Sequence, residues 1–579
     1  MNLSRREFLQ MLAVAGVSGF NLSACAETPI VSGRPSKAPA DLYEVPNFGN
    51  VSLMHYTDCH AQLTPVYFRE PNINLGIGSM RGNAPHLVGD AFLKTFGMPA
   101  DGIEAHAFTY LNFEEAARTY GKVGGFAHLS TLVKRIRSSR PGSLLLDGGD
   151  TWQGSATSLF TNAQDMVDAQ KLLGVDIMTP HWEMTYGAER VKEIIEKDFA
   201  GHIEFLAQNV VDNEWNEAVF SPYTIREING VPVAIIGQAF PYTPIANPRY
   251  MVPDWSFGIR DDQMQGYVDE VRGKGAQVVV VLSHNGMDVD LKMASRVSGI
   301  DAIFGGHTHD AVPKPITVKN PGGKTLVMNS GSNSKFLSVL DLDVRDGKIQ
   351  DYRYRLLPVF SNLIEPDAEM AAYIEKVRAP FKERLEEPLA ISDELLYRRG
   401  NFNGTFDQLI CDALMQELDA EMAFSPGFRW GTSILPGQTI TFEDLMTQTA
   451  ITYAGVTRSE MSGDQVKIVL EDVADNLFNE DPYYQQGGDM VRVGGLKYAI
   501  NPKEKIGKRI TDMSINGRAI EANKTYSVGG WASVAAPLDS KPVWDVVADY
   551  LRAKKTVSIK ELNVPTIKGI DNNPGYETM

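Results

Sequence analysis

Val278-Val279-Val280-Val281-Leu282-Ser283-His284-Asn285-Gly286 decides the fold: a short, unbroken apolar run passes directly into a polar turn that carries a histidine. A run of this length and composition reads as a strand buried on both faces, as in α/β sheets. Working outward, three more apolar runs behave the same way. Val51-Ser52-Leu53-Met54 leads to Asp58 and His60, Leu144-Leu145-Leu146 leads to Asp150, and Ala302-Ile303-Phe304 leads to His307 and His309. Sheets of this class assemble sites beyond the carboxyl ends of their strands, so these distant loops are expected to converge. A further segment, Pro180-His181-Trp182-Glu183, adds His181.

At 579 residues the chain exceeds one core, since domains split beyond about 250–300 residues. The strand and helix alternation runs to about Phe360. It includes a helical stripe at Phe126, Leu129, Leu132, Val133 and Ile136 and hairpin turns at Asn229-Gly230 and Asp346-Gly347. Met370, Tyr373, Ile374, Val377 and Phe381 form another stripe with Pro380 near its end; periodicity fits a connector between domains and an ordinary helix of the first domain equally well. Beyond it, Phe406, Leu409, Ile410, Ala413 and Leu414 mark a helical face, and Ser514-Ile515-Asn516-Gly517 a strand and turn. The expected organisation is a leader over 1–26, an α/β domain over 27–362, a linker helix over 363–388 and a smaller α+β domain over 389–579, with a loosely ordered tail from Ile570.

The leader Ser4-Arg5-Arg6-Glu7-Phe8-Leu9-Gln10, followed by an apolar run from Met11 to Leu22, reads as a twin-arginine export signal. That run is shorter than the about 20 residues a spanning helix needs, and no second run reaches that length, so no integral membrane segment is expected. Ala24-Cys25-Ala26 fits a peptidase site and Leu22-Ser23-Ala24-Cys25 fits a lipobox; a soluble periplasmic form is favoured over a lipid anchor at Cys25. Cys59 and Cys411 are then too few for a disulfide framework. A formal charge of −17 argues against nucleic-acid binding, and an anionic substrate must be drawn locally by metals and arginines.

Histidine and carboxylate donors suit transition metals, and one aspartate can bridge two cations about 3.5–4 Å apart. In order and spacing the ligand-bearing segments resemble the two-metal centre of the calcineurin-like metallophosphatases, in the branch that contains the 5′-nucleotidases. The resemblance implies a metallophosphatase-type β-sandwich flanked by helices, joined by a helical linker to a nucleotidase-type C-terminal domain. It also implies that Asp58, His60, Asp150 and His309 hold one metal and Asp150, His181, His284 and His307 the other, with Asp150 bridging. Asp147 and Asn209 are supporting groups, and His55, His86, His106, His128 and His202 are structural. Where that family usually has Gly-Asn-His-Glu, His181 takes the Asn position and Trp182 that of the catalytic His; the Asp that partners that His is replaced by Thr185.

The run His181-Trp182-Glu183-Met184-Thr185-Tyr186-Gly187 is similar to the SoxB family of thiosulfohydrolases of the periplasmic sulfur-oxidation (Sox) pathway. So are Thr57-Asp58-Cys59-His60-Ala61-Gln62-Leu63, Ser425-Pro426-Gly427-Phe428-Arg429-Trp430-Gly431 and Tyr483-Tyr484-Gln485-Gln486-Gly487-Gly488-Asp489. This resemblance covers nearly the whole chain. It implies removal of the terminal sulfonate from a cysteine S-thiosulfonate on a SoxYZ-type carrier, with release of sulfate, attack by a metal-activated hydroxide, and two divalent ions, manganese. A thiolate-type leaving group with pKa near ~8.5 departs with little proton assistance, so loss of the His-Asp pair is tolerable. Arg429 and Trp182 are the candidate catalytic side chains, and Arg429, Trp430, Tyr483 and Tyr484 the candidate substrate contacts. Arg429 would donate to the sulfonate oxygens and the aromatics would line a passage for the carrier; a surface ion pair for Arg429 and core packing for the aromatics stay open. Two other functions also stay open: a periplasmic 5′-nucleotidase or related phosphoesterase, and a non-catalytic metal- or carrier-binding protein.

Overall fold

The computed structural model describes residues 41–535 and 537–577. The export signal, both processing motifs and Cys25 lie outside the described residues. No helix among the described residues is long and apolar enough to cross a membrane.

Side chains alternate across a strand, so each central strand feeds two layers. Leu53, Val280, Leu282 and Phe304 meet in the apolar layer between two sheets, while Met54 and Tyr56 face helices on one outside and Val279, Val281 and Ile303 face helices on the other. The first sheet runs Lys348–Pro358, Phe336–Arg345, Val51–Tyr56, Leu144–Asp147, Ile177–Met178, Glu204–Phe205. The second runs Ile316–Asn320, Gly323–Asn329, Ala302–Gly305, Val278–Ser283, Val231–Gln238, Tyr223–Ile228. Central neighbours pair in parallel, so their carboxyl ends emerge together. The outer hairpins turn at Asn229-Gly230 and Asp346-Gly347, where all four residues adopt the positive φ that a two-residue turn between twisted strands requires. This is the sandwich flanked by helices that the metallophosphatase resemblance implies.

The stripe from Met370 is helical over Ala368–Arg378 and tightens to a 3-10 turn over Ala379–Phe381, at Pro380, which has no N–H to continue the ladder. Met370 and Ile374 are buried in the core of the N-terminal domain, while Arg378 Nη2 donates to Glu443 Oε2 of the C-terminal domain at 2.9 Å. The helix therefore belongs to the first core and also ties the second to it. The C-terminal domain is mixed α+β: the buried helix Thr405–Glu417 packs against a four-stranded sheet ordered Val456–Ser462, Thr525–Trp531, Met422–Ser425, Arg492–Gly494.

The expectation of a loose tail is corrected through Glu577. Gly575 O accepts from Asn74 N at 2.8 Å, Pro574 O accepts from Val88 N at 3.0 Å, and the Glu577 carboxylate accepts from Asp90 N and the Tyr110 hydroxyl. The Asn-, Pro- and Gly-rich composition marks turns, and here the turns lay backbone groups against partners in the N-terminal domain.

Candidate dimetal site

Seven side chains converge where the strands end. Asp58, His60, Asp150 and His309 form one cluster and Asp150, His181, His284 and His307 the other, with the donor atoms of each within 4.8 Å of one another and Asp150 shared. Their loops are bent tightly: Asp58, His60, Asp150, His307 and His309 all have positive φ, a conformation costing a non-glycine residue about 1–2 kcal/mol. Such backbone clusters where geometry serves a site. Gly306 admits the close approach, since a Cβ there would lie 2.9 Å from His284 Nδ1.

The donor set fits a pair of cations. His60 Nε2 and His309 Nε2 point at each other across 3.0 Å, the separation of two ligands on one ion. On the other cluster His181 Nδ1 and His284 Nε2 both face the Asp150 carboxylate, at 3.0 and 3.1 Å. For His60 and His284 the opposite nitrogen is anchored: His60 Nδ1 donates to Gln153 O at 3.2 Å and His284 Nδ1 to Gly148 O at 2.5 Å. Metal-binding imidazoles are held this way, one nitrogen on a carbonyl and the other turned inward. Burial opposes charge on Asp150, yet attraction prevails. The His181 and His284 rings hold Asp150 well below the usual carboxylate range, so the shared carboxylate is ionised. Carboxylates this buried demand positive charge beside them.

Supporting groups hold the loops. Asp147 lies outside both clusters and accepts from Tyr56, Gly149, Thr151 and Gln170. Asn209 Nδ2 donates to Ala239 O and Gly258 O, bracing the loop before Phe240. Glu183 accepts from the backbone N–H groups of Thr151 and His181, each at 2.7 Å, and so links two ligand loops. The remaining histidines stand apart from the clusters; His86, for example, pairs with Asp288 at 2.9 Å.

The second domain covers the site. Trp182 is buried against Trp430 (ring centroids 5.0 Å apart), Phe428 (5.1 Å) and Tyr453 (6.0 Å), all from the C-terminal domain. Trp430 in turn stacks on His60, with centroids 5.1 Å apart and planes 28° apart. Arg429 donates from Nη1 to Thr308 O at 2.9 Å and from Nε to Gly488 O at 2.8 Å, so two of its donor groups clasp backbone beside the ligand loop. Tyr483 is clamped against the N-terminal domain, its hydroxyl on Asp261 Oδ2 at 3.2 Å and Lys292 Nζ 4.0 Å above its ring, whereas Tyr484 is exposed. Neither tyrosine is brought into the metal clusters. Three groups escaped sequence reasoning: Phe240, whose ring lies 4.2 Å from His181 and 4.1 Å from His307; Arg399, which donates to Thr308 O at 3.1 Å; and the Gln486 carbonyl, 3.0 Å from His307 Nε2. Only Phe240 carried a signal, as the first large apolar residue past the strand Val231–Gln238.

Residues 392–539 match the family model described as 5′-nucleotidase, C-terminal domain. The rat 5′-nucleotidase is 24% identical over 438 residues, covering 68% of this chain and 72% of that protein. Among solved structures, a 5′-nucleotidase precursor from Thermus thermophilus shares the fold at a TM-score of 0.71 and 20% identity, over 89% of this chain and 99% of that one. The Thermus thermophilus sulfate thiohydrolase SoxB superposes with a TM-score of 0.86 at 36% identity, over 91% of this chain and 98% of that one. The chain belongs to the SoxB family. Membership together with two four-donor clusters sharing Asp150 makes it a SoxB-like dimetal hydrolase. The SoxB relationship accommodates a second domain that matches the 5′-nucleotidase C-terminal family model.

Proposed function

We propose that this chain is a periplasmic thiosulfohydrolase that cleaves the terminal sulfonate from a cysteine S-thiosulfonate on a SoxYZ-type carrier protein. The observation that carries the reading is Trp182: beside two four-donor clusters that could hold metal, the residue assigned by resemblance to the catalytic-His position is an indole packed against Trp430 and Phe428 of the second domain. The reaction balances without a redox partner. Water oxygen bonds to the sulfonate sulfur, the S–S bond breaks with its electron pair passing to the carrier as a persulfide, and sulfate and a proton leave. A persulfide or thiolate needs little protonation to depart, so a tryptophan is acceptable where an ester substrate would require an acid.

Asp58, His60, Asp150 and His309 are assigned to one ion and Asp150, His181, His284 and His307 to the other; such a pair supplies Lewis acidity and a water of lowered pKa. Arg429 is assigned to a sulfonate oxygen, its plane fixed by Nη1 on Thr308 O and Nε on Gly488 O, with Asp489 Oδ1 3.4 Å from Nε as a buried ion-pair partner. Trp430 shields His60 from solvent, and Tyr483 and Tyr484 border the carrier's approach, Tyr484 from an exposed position. Manganese is the assigned metal. His-rich donor sets prefer zinc in open competition, so export of the folded, already loaded protein through the twin-arginine route is part of the proposal. Zinc throughout protein isolated from the periplasm would contradict it.

The test is mass spectrometry of a carrier peptide bearing a cysteine S-thiosulfonate after incubation with manganese-loaded protein. The expected product is the persulfide peptide; unchanged peptide, or a free thiol peptide formed without a persulfide precursor, overturns the assignment.

A further inference from the structure

His307 differs from its neighbours in which nitrogen is spoken for and by which domain. His60 and His284 give Nδ1 to the carbonyls of Gln153 and Gly148, both in the N-terminal domain. His307 gives Nε2 to the carbonyl of Gln486, in the C-terminal domain, at 3.0 Å. A carbonyl only accepts, so the His307 Nε2 carries the proton and Nδ1 is its remaining donor. Around the same turn, Arg429 Nη1 and Arg399 Nη2 both donate to Thr308 O, at 2.9 and 3.1 Å, and Trp430 lies over His60. Each of the two clusters therefore has a histidine in contact with the other domain, and for His307 that contact is a hydrogen bond to the ring.

We infer that the Gln485–Gly488 loop is a positioning element of the dimetal centre: its Gln486 carbonyl sets the His307 ring for metal binding and thereby couples metal affinity to docking of the C-terminal domain. The inference rests on the reading that these clusters hold metal. Coupling of this kind is reciprocal, so metal that binds more tightly when the loop is docked also holds the loop docked by the same factor. Outer carbonyls and carboxylates on metal-ligating imidazoles typically change metal affinity by about 10–100-fold when removed.

Two adjacent glycines separate this contact from general loop strain. Gly487 and Gly488 have nearly equal positive φ, 71° and 77°, so an alanine at either is strained alike. A Cβ on Gly487 would overlap His307 Nε2 and Cδ2, while a Cβ on Gly488 meets nothing nearer than Gly427 O at 3.8 Å. The experiment is calorimetric titration of metal-stripped full-length protein with Mn²⁺ for the parent, Gly487→Ala and Gly488→Ala, with the melting temperature of each metal-free protein recorded alongside. The expected result is that Gly487→Ala weakens one of two binding events by about 10–100-fold, that Gly488→Ala binds as the parent does, and that the two metal-free variants melt alike. Equal Mn²⁺ affinity in Gly487→Ala and the parent, or equal weakening in both variants, overturns the coupling while leaving the metal reading intact. A parent that binds no Mn²⁺ overturns the metal reading itself. As a second readout, ¹⁵N spectra of the Zn²⁺-loaded, histidine-labelled protein are expected to show one ring with Nε2 protonated and Nδ1 metal-bound that is lost in Gly487→Ala; its absence from the parent also overturns the inference.

Discussion

The ligand loops of the N-terminal domain and the loops of the C-terminal domain that lie over them solve the same backbone problem in opposite ways. On the ligand side Asp58, His60, Ala61, Asp150, His307 and His309 take positive φ, although none is glycine. On the covering side positive φ falls to Gly431, Gly487 and Gly488, which adopt it without steric cost. Five of those six residues are candidate donors, so the strain falls mainly where side chains converge, whereas glycine supplies the bend where backbone approaches from the covering side. The candidate metal donors thus all lie in one domain, while the other contributes packing, carbonyls and arginine donors around them. The same division explains why Trp182 matters: it is the ligand domain's own contribution to the covering layer.

The most severe way to break this division is at Asp150, the one residue common to both clusters. Asp150→Asn is expected to lower turnover at least about 10³-fold, equivalent to about 4 kcal/mol of transition-state stabilisation, and to reduce bound metal below two ions per chain by elemental analysis. Retention of both metals would show that the clusters hold without Asp150. Next in size is Trp182→Ala, which empties a buried site shared by both domains. Stability measured by chemical denaturation is expected to fall by about 3–5 kcal/mol, with metal content unchanged. A loss of metal without a loss of stability would move Trp182 from the covering layer to the ligand layer. The smallest test is Ala61→Gly, at a strained ligand-side residue that offers no donor (φ 54°). Relief of about 1–2 kcal/mol of backbone strain is partly offset by about 0.5–1 kcal/mol of glycine entropy, so a gain of at most about 1 kcal/mol is expected in the same assay. A clear destabilisation would mean that the ligand-side strain is illusory.

The ligand side was readable from residue order because each loop is local to its strand: Asp58 and His60 follow Val51–Tyr56 directly, and His284 follows Val278–Ser283. The hairpins at Asn229-Gly230 and Asp346-Gly347 were readable for the same reason, since their turn chemistry is written in two adjacent residues. The covering side was not. Gln486 acts through its carbonyl, which every residue possesses, so its side chain carries no signal. Arg429 and Arg399 are 30 residues apart in sequence yet share the Thr308 carbonyl. The C-terminal tail is ordered by backbone contacts with Asn74 and Val88, about 500 residues earlier, which composition could not reveal.

The most direct test of the account is to assay sulfate release from a cysteine S-thiosulfonate carrier peptide and phosphate release from AMP on the same manganese-loaded preparation. Sulfate without phosphate is the predicted result, because Trp182 and Thr185 leave a good leaving group cleavable and a poor one not. Phosphate without sulfate would contradict the central claim and return the chain to orthodox phosphoester hydrolysis.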